Sequence, residues 1–231
     1  MRNGAVRILK KDFVNEDTES YCGGRRLSSG TAYFMQTENG AIVYGGKTCA
    51  EQHGDNDLRD VPDLTKSLIA LRDGGNTVGG HGGGNGEERN YSLAVAYLLL
   101  REERLDEFRL NGSSISYNKL NEYYQYYQEN RTLEESQVNH ILNLESYAVQ
   151  NIDAKLSLKN LATCHAYRFI LSRIYAYLEG ENNTDGMAFI TSLQNYLSTR
   201  CTLTSGQVDG LRNWLPYLPE GLREARLKEF D

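Results

Sequence analysis

No run of about 18 apolar residues, the length a membrane-crossing helix needs, occurs in this chain. Its first residues, MRNGAVRILKKDF, lack the apolar segment and small-residue cleavage site of a secretory signal. Positive charge is scarce: 25 Lys and Arg against 31 Asp and Glu leave a formal net charge of -6. That balance gives no overall basic footprint for nucleic acid or an anionic membrane. Cysteine is scarce too. Cys22, Cys49, Cys164 and Cys201 are scattered, a pattern expected of reduced thiols in a soluble cytoplasmic protein rather than of a disulfide scaffold.

The usual local signatures of catalysis are also missing. His81-Gly82-Gly83-Gly84 matches an esterase oxyanion loop, yet no G-x-S-x-G nucleophile elbow accompanies it. Neither GxxxxGK[ST] nor HExxH occurs. Cys164 and His165 are adjacent, but neighbours on a helix point about 100° apart and form no dyad by themselves. His140 stands alone on its helix, and Glu102-Glu103 and Glu134-Glu135 read as solvated helix surface. A non-enzymatic protein is the expectation.

What the chain does contain is glycine, concentrated between Gly74 and Gly86. So many residues without side chains make ordering costly, so the stretch reads as a connector between unlike halves. The expected fold class is α+β: a small α+β module at 1–73, a Gly-rich linker or loop at 74–89, and a helical domain at 90–231. Sixteen tyrosines are the other excess. On an acidic chain they suit a protein-binding surface, because Tyr supplies contact area at low entropic cost.

In the first module, Ala5 to Leu9 and Thr31 to Thr37 have strand-like composition, and Glu38-Asn39-Gly40 turns the chain into Ala41 to Tyr44, predicting a hairpin. Cys49 to His53 reads as a short helix ended by Gly54, and Pro62-Asp63 as the start of another running to Leu71. A Cys-Gly turn at Cys22-Gly23, then a hairpin, then a Cys at a helix start resembles a treble-clef zinc finger. The resemblance implies a structural Zn2+ held by Cys22, Cys49 and His53, the last two one helical turn apart, with Glu19 or His81 completing the tetrahedron. Glu19 stands where the first knuckle Cys of that family belongs.

The helical half repeats itself at one constant offset. Thr132-Leu133 recurs as Thr202-Leu203, Gln137-Val138 as Gln207-Val208, and Ala96-Tyr97 as Ala166-Tyr167, all without a gap. A duplicated three-helix unit is expected, spanning roughly 90–150 and 160–220. Its third helices are expected to be capped by Thr132 with Glu135 and by Thr204 with Gln207. Phe189 to Leu193 and Leu203 to Gln207 resemble helical tails of phage and mobile-element proteins.

These features lead to one functional expectation, a non-enzymatic interaction protein of phage or mobile-element origin. It would bind and inhibit a host nucleic-acid-processing or defence complex through the Tyr123, Tyr124, Tyr126 and Tyr127 cluster. The alternative is a nucleic-acid-binding adaptor, in which Arg25 and Arg26, with Lys10 and Lys11, form a local basic patch against phosphate.

Overall fold

The computed structural model describes residues 6–15, 17–59, 61–65, 86–104 and 117–218, with Arg223, Leu227, Lys228 and Phe230 beyond them. The glycine-rich stretch before Gly86, His81 included, and residues 66–71 of the helix expected after Pro62-Asp63 lie outside the described residues; its expected start, Pro62 to Thr65, is instead a bridge to Lys11 through Asp63 and a turn. The fold is α+β, a three-stranded antiparallel sheet followed by a mainly helical part. No helix among the described residues is long and apolar enough to cross a membrane.

Strands β1 (Arg7–Phe13), β2 (Thr31–Gln36) and β3 (Ile42–Gly45) pair in sequence order. The β2–β3 turn is the expected one, with Gly40 at φ 83° and its N–H donating to the Thr37 carbonyl. Only glycine takes that left-handed position without steric cost. Helix α1 (Lys47–His53) follows and ends at Gly54, as its sequence predicts. Val6, Ile8, Met35, Cys49, Ala50 and Val61 form a small core between α1 and one face of the sheet.

The second part begins with α2 (Gly86–Leu99), which continues into a widened π turn at Leu100–Arg104. Then come α3 (Asn118–Asn130), α4 (Glu135–Asn151), α5 (Leu158–Gly180), α6 (Thr184–Arg200) and α7 (Ser205–Trp214). Ser157 caps α5 by accepting from the Asn160 N–H, and Asn183 caps α6 by accepting from Gly186. α5 is buried around nearly its whole first half, from Leu161 to Tyr167, so it forms the axis of the larger core. Phe13 and Leu64 from the first module join that core.

The helix ends recur at the offset seen in the sequence. Arg131 and Cys201, equivalent positions of the two units, end α3 and α6 in the left-handed conformation, at φ 57° and 49°. Gln137 Oε1 accepts from the Glu134 N–H, and Gln207 Oε1 from the Thr204 N–H, both at 2.9 Å. The cap of α4 is therefore Glu134 rather than Thr132. Arg131 reverses the chain and Leu133 is buried behind it, so the helix starts two residues later than its threonine implies. The packing is not duplicated in the same way: α2 lies along α4, whereas α5 lies along α6.

Candidate functional site

The pairing of β1 with β2 shifts between Ile8 and Lys10. Such a bulge inserts one unpaired residue, and one residue is enough to exchange the two faces of a strand. Ile8 pairs with Met35 and both enter the small core, whereas Lys10 pairs with Phe34 and Asp12 with Ala32 on the opposite face. Lys11, pairing with Tyr33, stays on the first face and binds Asp63 at 3.0 Å. The bulge thus aims one cation and one carboxylate at the helices.

Asp12 is completely buried. Its Oδ1 accepts the Phe13 N–H at 2.8 Å and lies 2.7 Å from His165 Nε2, while its Oδ2 lies 3.1 Å from Lys10 Nζ. Lys10 in turn reaches Glu103 Oε2 at 2.6 Å. Glu103 sits in the π turn that follows α2, an irregularity that often marks a re-aimed side chain. Its Oε1 accepts from the Tyr124 hydroxyl at 3.3 Å. Burial, and then the Glu103 charge beside it, push that hydroxyl up to about 12. Phe13 packs against the His165 ring and stacks on Phe169, closing the cluster from the side.

A charge removed from water costs several kcal/mol unless it is paired and hydrogen-bonded. Here Lys10 lies between two carboxylates, and His165 and the Phe13 N–H take up the far side of Asp12. The arrangement clasps the sheet to α2, α3 and α5. A groove of about 290 Å³ opens beside it. Phe34, Ile42 and Tyr44 form its sheet wall, and Tyr127, Gln128 and Arg131 its helix wall.

A second, wider groove of about 630 Å³ runs between the turn at residues 19–24 and β3. The turn is built by the Ser20 N–H donating to Arg25 and the Gly24 N–H to Ser20, and the Tyr21 N–H ties it to the Tyr44 carbonyl. This docking brings Cys22 against the first turn of α1, where it is joined to Cys49 in a disulfide. The expectation of four free thiols is corrected here: only Cys164 and Cys201 are free, and both are buried. The two partners are 27 residues apart in sequence, and only the hairpin fold makes them neighbours.

Turn, hairpin and helix follow one another in the order the treble-clef resemblance implies, and His53 and Glu19 line the same groove as Cys22. The ligand set does not fit a zinc ion in this covalent state, because a disulfide sulfur offers no thiolate. Among the described residues no group of three or more His, Cys, Asp or Glu is placed to hold a metal.

The tyrosine cluster is arranged differently from a presented face. Tyr127 is buried, and burial raises its hydroxyl well above the ordinary range. Tyr123 is half-buried with its hydroxyl 2.7 Å from His140 Nδ1, so that histidine is not alone. Tyr124 is held by Glu103, and the Tyr126 hydroxyl reaches Glu134 at 3.4 Å. Arg25 and Arg26 are exposed, but Lys10 and Lys11 are drawn into the ion pairs above, so the four do not form one patch. Cys164 and His165 diverge as neighbours on a helix should: the thiol donates to the Cys201 carbonyl while the imidazole faces Asp12.

Sequence reasoning missed Asp12, Glu103 and His165 as a group. Asp12 is an acidic residue within a buried-type strand, which is costly enough to announce a partner. The bulge and the π turn that bring the partners together leave no mark in the residue pattern. Compared with known proteins, the chain matches no family model, no curated protein and no solved structure.

Proposed function

We propose that the protein is a non-enzymatic interaction protein that presents one tyrosine from each helical triplet to a protein partner. The observation that supports this is the placement of Tyr147 and Tyr217, equivalent positions of the two units. They are 59% and 81% exposed, and each is followed by a buried apolar residue, Ala148 and Leu218. Each ring is thus outside the core while its backbone is anchored. Tyr on a rigid support is a favourable contact residue, since it offers area and a hydroxyl with few rotamers to freeze.

The partner is a host nucleic-acid-processing or defence complex, which the protein binds and inhibits. The likeness of Phe189 to Gln207 to mobile-element tails supports that choice. A nucleic-acid adaptor that uses the exposed Arg25 and Arg26 is the competing reading.

The test is a tagged pull-down from host lysate, with and without nuclease, using the native chain and a Tyr147→Ser/Tyr217→Ser variant. A partner that survives nuclease and is lost with the variant supports the proposal. Partners retained by the variant, or lost only with nuclease, overturn it, and the latter outcome favours the adaptor. Both substitutions are at exposed positions, so the variant should fold.

A further inference from the structure

We propose that the groove between β3 and α3, about 290 Å³ in volume, is a binding site for a small organic anion with a planar ring. The two requirements, a ring and a negative charge, come from different walls.

The sheet wall is aromatic. Phe34 and Tyr44 are cross-strand partners whose rings meet edge to face with centroids 4.9 Å apart. Lys10, which also lines the groove, has its Nζ 5.1 Å from the centre of the Phe34 ring. Both aromatic residues are half-buried, and Ile42 extends the wall toward solvent. A flat ring is the ligand shape that such edge-to-face surfaces accept best.

The helix wall is cationic. Arg131 occupies the left-handed position that ends α3, and its Nη1 donates to Gln128 Oε1 at 2.8 Å. That bond fixes the side chain, and a guanidinium has four further N–H donors arranged to grip a carboxylate or phosphate. Lys10 is shared by Glu103, at 2.6 Å, and Asp12, at 3.1 Å, so the anion's contact falls to Arg131 on the opposite wall. The volume lies at the small end of ligand pockets, matched to one ring system with one anionic group.

The experiment is calorimetric titration of the full chain with three probes: AMP, which carries ring and charge, adenosine, which carries the ring alone, and inorganic phosphate. AMP should bind at least about tenfold tighter than either of the others, the loss of one charge-assisted contact being of that order. Arg131→Gln should lower AMP binding to the level of adenosine and leave adenosine unchanged. Tyr44→Leu should weaken AMP and adenosine alike. No AMP binding at millimolar concentration, phosphate binding as well as AMP, or Arg131→Gln leaving AMP unaffected would each overturn the proposal. Neither variant touches Tyr147 or Tyr217, so this outcome is separate from that of the pull-down.

Discussion

Asp12 and His165, 153 residues apart in the chain, meet at 2.7 Å with both side chains buried. They join the only sheet among the described residues to the most deeply buried helix. Removing one side of such a pair strands the other, which costs about 3–5 kcal/mol. Asp12→Ala should therefore lower unfolding free energy by that amount in urea titration. A double-mutant cycle with His165→Ala should show that the two losses do not add. Additive losses would mean that the contact carries no coupling.

The Tyr124 hydroxyl provides a pH readout of the same cluster. Its folded pKa, about 12, lies above the ordinary 10.0. The sign follows: the raised value favours the neutral folded state, so this contribution is complete below about pH 10 and declines as pH rises through about 12. Ultraviolet titration should show a tyrosine ionising late. Glu103→Gln removes the neighbouring charge and should bring that step closer to the ordinary value.

Cysteine counting addresses the small core. Alkylation of native, unreduced protein should label almost nothing, because Cys164 and Cys201 are buried and Cys22 is bonded to Cys49. Unfolding without reductant should expose two thiols, and reduction four. Breaking the bond should destabilise the first module by about 2–4 kcal/mol, given a loop of this length. Four reactive thiols before reduction, together with stoichiometric zinc, would replace the disulfide by the Cys22, Cys49 and His53 metal set.

Gly30 holds the start of β2 against α5. At φ 67° it has no room for a side chain: a Cβ there would stand 2.9 Å from both Phe169 Cζ and Arg173 Nη1. Gly30→Ala combines left-handed strain with overpacking and should cost about 1–3 kcal/mol by thermal or urea unfolding. Gly23→Ala, which meets nothing within 4 Å, serves as the control.

The hairpin, α1 and the helical triplets were legible because each rests on a local signal: Gly40 in the turn, Gly54 at the helix end, and apolar residues at helical spacing. The true cap of α4 was legible as well, since Glu134 is the repeat equivalent of Thr204, but Thr132 offered a more familiar hydroxyl. Four tyrosine rings on one helix look alike in sequence. Their surroundings differ, with Tyr127 facing the core and Tyr123 meeting His140. The treble-clef resemblance brought Cys22 and Cys49 together as metal ligands rather than as a disulfide, and the clasp around Asp12 left only that acidic residue as a mark. Both depend on contacts between distant segments, and the residues involved carry no shared period.

The extra residue in β1 makes the parity of that strand matter more than its length. An insertion or deletion of one residue between Ile8 and Lys10 would put both on one face, sending either Lys10 and Asp12 into the small apolar core or Ile8 toward Glu103. A change of two residues would preserve every facing. Length variation tolerated at this strand, whether selected or engineered, should therefore come in even steps.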